Sequence, residues 1–192
     1  TGHGVPGAIL AMAGSVFLKQ IVGIQKITNP NEILRQLHIN IIDILKQKTN
    51  MGRDGMDVSI CTIDPLERKL SFAGARNTLM YVQQGMVEEV LGDSVPVGGF
   101  LTKKEAERKF QTHSLLLLPE SPTSFYIFTD GYLDQFGGSR GRKYMRSRFR
   151  KLLANIHEEP MAVQKELISK NMSEWMEGQK QIDDMLVVGF KI

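Results

Sequence analysis

From residue 56 to residue 128 the apolar residues follow a period of two, in runs joined for the most part by short turns. Residues 56–63 read as a strand, Asp64-Pro65-Leu66-Glu67-Arg68 as its turn, and residues 70–73 as the partner strand. Residues 78–83 and 87–91 form a second hairpin around Gln84-Gly85, and residues 110–118 a further strand. Pro119-Glu120-Ser121-Pro122 then leads into the aromatic run Phe125-Tyr126-Ile127-Phe128, which has the composition of a buried central strand. Strands linked in this way pair antiparallel, so the expected core is an antiparallel sheet or sandwich.

Helical spacing brackets this region. Ile9, Leu10, Met12, Ala13, Val16 and Phe17 predict a first helix with a broad buried face, opened by Pro6 in its first turn. Thr28-Asn29-Pro30-Asn31-Glu32 is a start signal for a second helix reaching about residue 48, with Ile33, Leu34, Leu37, Ile41, Ile44 and Leu45 as its apolar stripe. Core packing accounts for that stripe; an interface with a partner or a second copy is the alternative. After a polar, flexible segment at residues 137–141, Arg142, Lys143, Arg146, Arg148, Arg150 and Lys151 interleave with Tyr144, Met145, Phe149, Leu152 and Leu153. That spacing predicts an amphipathic helix with a solvated basic face, attractive to an acidic or phosphorylated partner, rather than a nucleic-acid binder. A last helix is expected over residues 161–176, with Trp175 in the core.

At 192 residues the chain is long enough for one domain with a real core, and all of it is assigned to one. A net charge of +3 is too small to argue for nucleic acid. The lone cysteine, Cys61, excludes a disulfide framework and a cysteine-based metal site, which fits a reducing, cytosolic setting. No apolar run is read as approaching a membrane span, so no membrane contact is expected.

The chemistry is placed at strand ends. Thr129-Asp130-Gly131 puts a carboxylate where the aromatic strand leaves the core, with a glycine that lets the backbone turn without a Cβ clash. Such a carboxylate can hold a metal ion or a proton; it can equally begin a turn or cap a helix. Near the other end, Gln181-Ile182-Asp183-Asp184 leads into Met185-Leu186-Val187-Val188-Gly189-Phe190, a paired carboxylate before a strand read as buried. The chain opens on Thr1-Gly2-His3-Gly4-Val5-Pro6-Gly7-Ala8, a glycine-rich turn without the Lys-Ser/Thr ending of a phosphate-binding P-loop. Clustered carboxylates repel unless a cation joins them, and an oxygen-only donor set points to Mg²⁺ or Mn²⁺ rather than zinc.

Taken together, Thr1-Gly2-His3-Gly4-Val5-Pro6-Gly7-Ala8, Phe128-Thr129-Asp130-Gly131-Tyr132 and Asp183-Asp184-Met185-Leu186-Val187-Val188 resemble three motifs of the PPM family of metal-dependent protein phosphatases. The closer resemblance is to its bacterial branch related to stage II sporulation protein E, whose intermediate blocks are matched by Arg53-Asp54-Gly55-Met56-Asp57 and Phe72-Ala73-Gly74-Ala75-Arg76-Asn77. The resemblance implies an α+β fold, an antiparallel β-sandwich flanked by helices. It implies hydrolysis of phosphoserine or phosphothreonine on a protein, typically an anti-sigma-factor antagonist, by two Mn²⁺ or Mg²⁺ ions that activate a water. Asp130 and Asp183 match metal ligands, Asp184 supports them from the neighbouring position, and Gly2, His3 and Gly4 form the active-site turn. The family's further acidic ligands fall upstream of Thr1. The expectation is therefore a domain lacking its first strands, with an open sheet edge, little or no activity of its own and a tendency to form homodimers. The alternative reading is a non-catalytic interaction or dimerisation module.

Overall fold

Pro30 opens a helix in which every third or fourth residue is aliphatic, and the rest of one half of the molecule is built against that stripe. In the computed structural model, which describes residues 4–50, 52–99 and 108–192, the elements run as follows. Helix α1 (Gly4–Leu18) continues as a π-helical stretch (Lys19–Ile24); α2 (Pro30–Ile44) and α3 (Gln47–Asn50) follow. Then come β1 (Gly55–Met56), β2 (Val58–Asp64), β3 (Lys69–Ala75), β4 (Thr78–Gln83), β5 (Met86–Leu91), β6 (Val97–Gly98), β7 (His113–Leu116) and β8 (Ser124–Phe128). The chain closes with α4 (Asp130–Asp134), β9 (Phe136–Gly137), β10 (Arg142–Lys143), α5 (Arg146–Ile156), α6 (Met161–Met176) and β11 (Val187–Lys191). Two compact units result: Thr1–Asn77 with Leu91–Leu116, and Thr78–Val90 with Leu117–Ile192.

In the first unit, β2, β3 and β7 make an antiparallel sheet with Ile60 opposite Ala73 and Phe72 opposite His113. Asp64 closes the β2–β3 turn by accepting the Leu66 and Glu67 N–H groups at 3.0 Å each, the local bond that makes Asp a turn residue. Ile33, Leu34, Leu37 and Ile41 of α2 are buried with Ala73, Ala75, Val97 and Phe110. Helices α2 and α3 also supply polar anchors the sequence did not announce. Buried His38 accepts the Gly98 N–H through Nδ1 at 3.0 Å, and buried Gln47 accepts the Gly99 N–H while donating to the Asp54 carbonyl.

In the second unit the strand order is β11-β8-β4-β5, with Phe128 opposite Val187 and Ile127 opposite Leu79. The aromatic run is central, as expected: Tyr126 and Phe128 are buried with Met80, Tyr132, Tyr144, Phe149, Leu153 and Met172. Phe125 stacks between Tyr81 and Phe190 at 5.9 and 5.3 Å.

Four expectations are corrected. The broad buried face of α1 is absent: Leu10 is 3% exposed, but Ile9, Met12 and Val16 are 53, 71 and 62% exposed, because α2 covers one narrow side of that helix. Residues 7–24, with mean hydropathy 1.7, are long and apolar enough by length and composition to cross a membrane, against the reading that no run approaches that length. The segment at 137–141 is a paired β9–β10 turn in which Gly138 donates to the Trp175 carbonyl, so Arg142 and Lys143 precede the basic helix, which starts at Arg146. Finally, β11 is an edge strand with only Val187 and Phe190 partly covered, not a buried one.

Candidate metal centre

The two acidic motifs are joined by one hydroxyl and one missing side chain. Thr129 follows β8 and donates its hydroxyl to the Asp184 carbonyl at 2.8 Å, while the same oxygen accepts the Leu186 N–H at 3.0 Å. Its backbone N–H reaches the Leu186 carbonyl at 3.0 Å. Residue 131 then passes directly over the Asp183–Asp184 peptide. A Cβ there would collide with the Asp184 carbonyl oxygen and lie 3.0 Å from its carbon, so only glycine allows the approach. The glycine is thus required by close packing of two backbones, which replaces the turn-geometry reason read from the sequence.

Asp130 is the first residue of α4 and Thr129 its N-cap, although the Thr129 hydroxyl is spent on the 184–186 segment and caps nothing. The Asp130 side chain is exposed and, among the described residues, has no hydrogen-bond or ion-pair partner. Asp183 is also exposed; one of its carboxylate oxygens accepts the Asp184 N–H at 2.8 Å and its carbonyl accepts the Gln181 side chain at 2.7 Å. Asp184 meets the junction through its carbonyl, and its carboxylate faces solvent.

Sequence reasoning passed over Thr129 and Gln135. Gln135 is fully buried, donates to the Phe136 and Lys180 carbonyls at 3.0 and 2.9 Å, and accepts the Ile182 N–H at 3.2 Å. Its carbonyl accepts the Trp175 indole N–H at 3.1 Å. It therefore ties the end of α4 to the loop that carries Asp183. A glutamine two residues before a glycine pair has no sequence signature for that role.

Gly2 and His3 lie outside the described residues, and Gly4 opens α1 in the first unit. Among the described residues, no group of three or more His, Cys, Asp or Glu is arranged to hold an ion. The donors present nonetheless suit a hard divalent cation: two exposed carboxylates, oxygen only, on backbones locked together at Gly131.

Solved structures share this architecture. The SiaA-PP2C domain of Pseudomonas aeruginosa superposes with a TM-score of 0.87 at 26% identity, over 100% of this chain and 72% of that one. The PP2C phosphatase domain of SpoIIE from Bacillus subtilis, solved with a fragment of its regulatory domain, gives 0.71 at 14% identity, over 98% of this chain and 51% of that one. RsbX, solved in complex with magnesium, gives 0.58 at 17% identity, over 94% of this chain and 73% of that one. This chain thus spans about half the length of the SpoIIE structure it matches. No curated protein matches it in sequence. The family model described as Stage II sporulation protein E (SpoIIE) matches residues 1–192. The chain belongs to the stage II sporulation protein E family, a branch of the PPM-type (PP2C) metal-dependent protein serine/threonine phosphatases.

Proposed function

We propose that this domain hydrolyses phosphoserine or phosphothreonine on a bacterial signalling protein, with Asp130 and Asp183 each lending a carboxylate to Mn²⁺ or Mg²⁺. The observation that carries the reading is the Thr129–Gly131 junction, which holds the two carboxylate-bearing segments against each other. When bound, such ions lower the pKa of water and offset charge on the phosphoryl oxygens. The chain's own part is to place two oxygen donors without reorganisation. Thr129 and Gln135 hold the loop, and Gly131 keeps it close.

The magnesium complex of RsbX supports the choice of cation. The substrate proposed is a small phosphorylated anti-sigma-factor antagonist, on the strength of the family motifs. The single half-buried thiol, Cys61, supports a cytoplasmic setting. A second copy of the chain is the further partner proposed, supported by the exposed Ile9, Met12 and Val16 of α1, with light scattering as its test.

The reading is tested by Mn²⁺ calorimetry together with phosphate release from a phosphorylated antagonist, with and without chelator, the release measured on a longer chain that continues upstream of Thr1. Asp130→Asn and Asp183→Asn are expected to weaken Mn²⁺ binding and remove chelator-sensitive turnover. Mn²⁺ affinity unchanged in both variants overturns the ligand assignment. The second reading, an interaction module without catalysis, is favoured by the lack of a three-carboxylate cluster among the described residues. It prevails if no divalent metal supports turnover in a longer chain that continues upstream of Thr1.

A further inference from the structure

The basic run does not form one even surface. Arg146 and Arg150 both turn to Glu89 at 2.8 Å, and Arg150 also donates to the Val87 carbonyl at 2.6 Å. The remaining cations surround a cavity of about 470 Å³ lined by Arg142, Lys143, Met145, Ser147, Arg148 and Lys151, with no acidic residue in its wall. The lining comes from two directions because the chain reverses between β10 and α5, at Met145 with φ of 72°. Arg142 and Lys143 enter from the strand. Arg148 and Lys151, three residues apart on α5, enter from one helix face.

Two of these cations are held in place and two are not. Lys143 bonds Asp134 at 2.8 Å, and the Arg148 guanidinium lies 4.4 Å from the centre of the Trp175 ring. Arg142 and Lys151 have no ion-pair partner among the described residues. The wall is fastened to the candidate metal centre. Met145 N–H reaches the Leu133 carbonyl at 2.9 Å, and Asp134, which anchors Lys143, lies four residues along α4 from Asp130. That spacing is about one helical turn, roughly 5–6 Å along the axis.

We propose that this cavity docks an acidic stretch of the phosphoprotein substrate, with Arg142, Arg148 and Lys151 receiving its carboxylates while the phosphorylated residue is presented to Asp130 and Asp183. The proposal rests on the phosphatase reading above. A solvated basic face accounts for a helix with scattered cations; it does not account for like charges gathered around one concavity while the neighbouring arginines are neutralised. Nucleic acid is disfavoured for the same reason. Its regularly spaced phosphates call for a stripe of free cations, and Glu89 interrupts the stripe.

The test is fluorescence anisotropy of a labelled, unphosphorylated peptide rich in Glu and Asp, without metal, so that binding is read independently of turnover. Binding that weakens with added salt is expected, reduced at least about 10-fold in Arg142→Glu/Lys151→Glu. Lys170→Glu, the same kind of charge reversal on α6 in the same unit, is expected to leave affinity within about twofold. Circular dichroism confirms that each variant is folded. The proposal is overturned if the peptide fails to bind, if Lys170→Glu weakens it as much as the double variant, or if an oligonucleotide of equal charge binds more tightly at the same residues. Failure of peptide binding leaves Mn²⁺ affinity intact and so touches this proposal alone, whereas Mn²⁺ affinity insensitive to Asp130 and Asp183 overturns the ligand assignment whether or not the peptide binds.

Discussion

Each unit contains a place where two backbones press together because glycine permits it, and each has an aspartate there. In the first unit Gly74, Asn77 and Gly92 meet: the Gly92 N–H bonds the Asn77 carbonyl at 3.1 Å, and a Cβ on Gly92 would strike the carbonyls of Gly74 and Asn77. In the second unit Gly131 lies on the Asp184 carbonyl. The aspartates differ. Asp93 is used up, its N–H on the Gly74 carbonyl at 2.8 Å, its carbonyl on the Arg76 N–H at 2.7 Å and its carboxylate on the Gln111 N–H at 2.8 Å. The Asp130 carboxylate has no hydrogen-bond or ion-pair partner among the described residues. The same backbone device can close a fold or present a ligand, and the fate of the carboxylate separates the two uses.

The largest difference should appear in activity. Asp130→Asn or Asp183→Asn is expected to cut metal-dependent phosphate release by more than about 100-fold, beyond what residues one layer behind a ligand usually contribute. Their unfolding free energies in urea should hardly move, within about 0.5 kcal/mol. Asp93→Asn should do the reverse, sparing Mn²⁺ affinity and losing about 1 kcal/mol of stability with its bond to Gln111. Equal loss of Mn²⁺ binding in all three would erase the distinction.

Next are the glycines. Gly131→Ala and Gly92→Ala should each destabilise by about 1–3 kcal/mol, since the added methyl meets backbone that has nowhere to go. Only Gly131→Ala should also weaken Mn²⁺ binding in calorimetry. A smaller effect is expected for Thr129→Val, which removes the hydroxyl joining residues 129, 184 and 186. About 1–2 kcal/mol in urea unfolding is expected, with lower Mn²⁺ affinity although no ligand is touched.

The last effect concerns Cys61 on β2 and is absent near neutral pH. Burial pushes its thiol up from 9.0 to about 11, so the folded chain keeps this proton where the unfolded chain has lost it. That contribution to stability is complete below about pH 9 and disappears as the pH rises through about 11. Denaturant midpoints should fall across that window in the wild type and less steeply in Cys61→Ala. A thiol that reacts with iodoacetamide at pH 8 as fast in the native chain as in urea would contradict the burial.

Much of the fold was legible because its signals are local. The Asp64 turn, the Gln84-Gly85 turn with φ of 52° and 75°, and Pro30 at the start of α2 are each decided within a few residues. Both carboxylate motifs were found for the same reason, as acids next to apolar runs. The Gln135 hub was not, because its partners at Lys180 and Ile182 are more than 40 residues away and nothing in its neighbours requires them. Nor was the split of the basic run, since Glu89 lies 57 and 61 residues before the arginines it neutralises.

By itself the sequence determined where most of the longer strands and helices form, several of the residues that turn the chain, and which acids stand near strand ends. Period, proline, glycine and side-chain chemistry all act over one or two turns of chain. Only the tertiary structure decided which apolar faces are used. Helices α1 and α2 are both rich in aliphatic residues, yet Ile33, Leu34, Leu37 and Ile41 are buried while Ile9, Met12 and Val16 are exposed. Tertiary structure likewise made β11 an edge and brought Thr129 to Asp184 across 55 residues. The physical reason is the same in each case: burial and pairing need a partner surface, and a residue's own neighbours in the chain do not say whether one arrives.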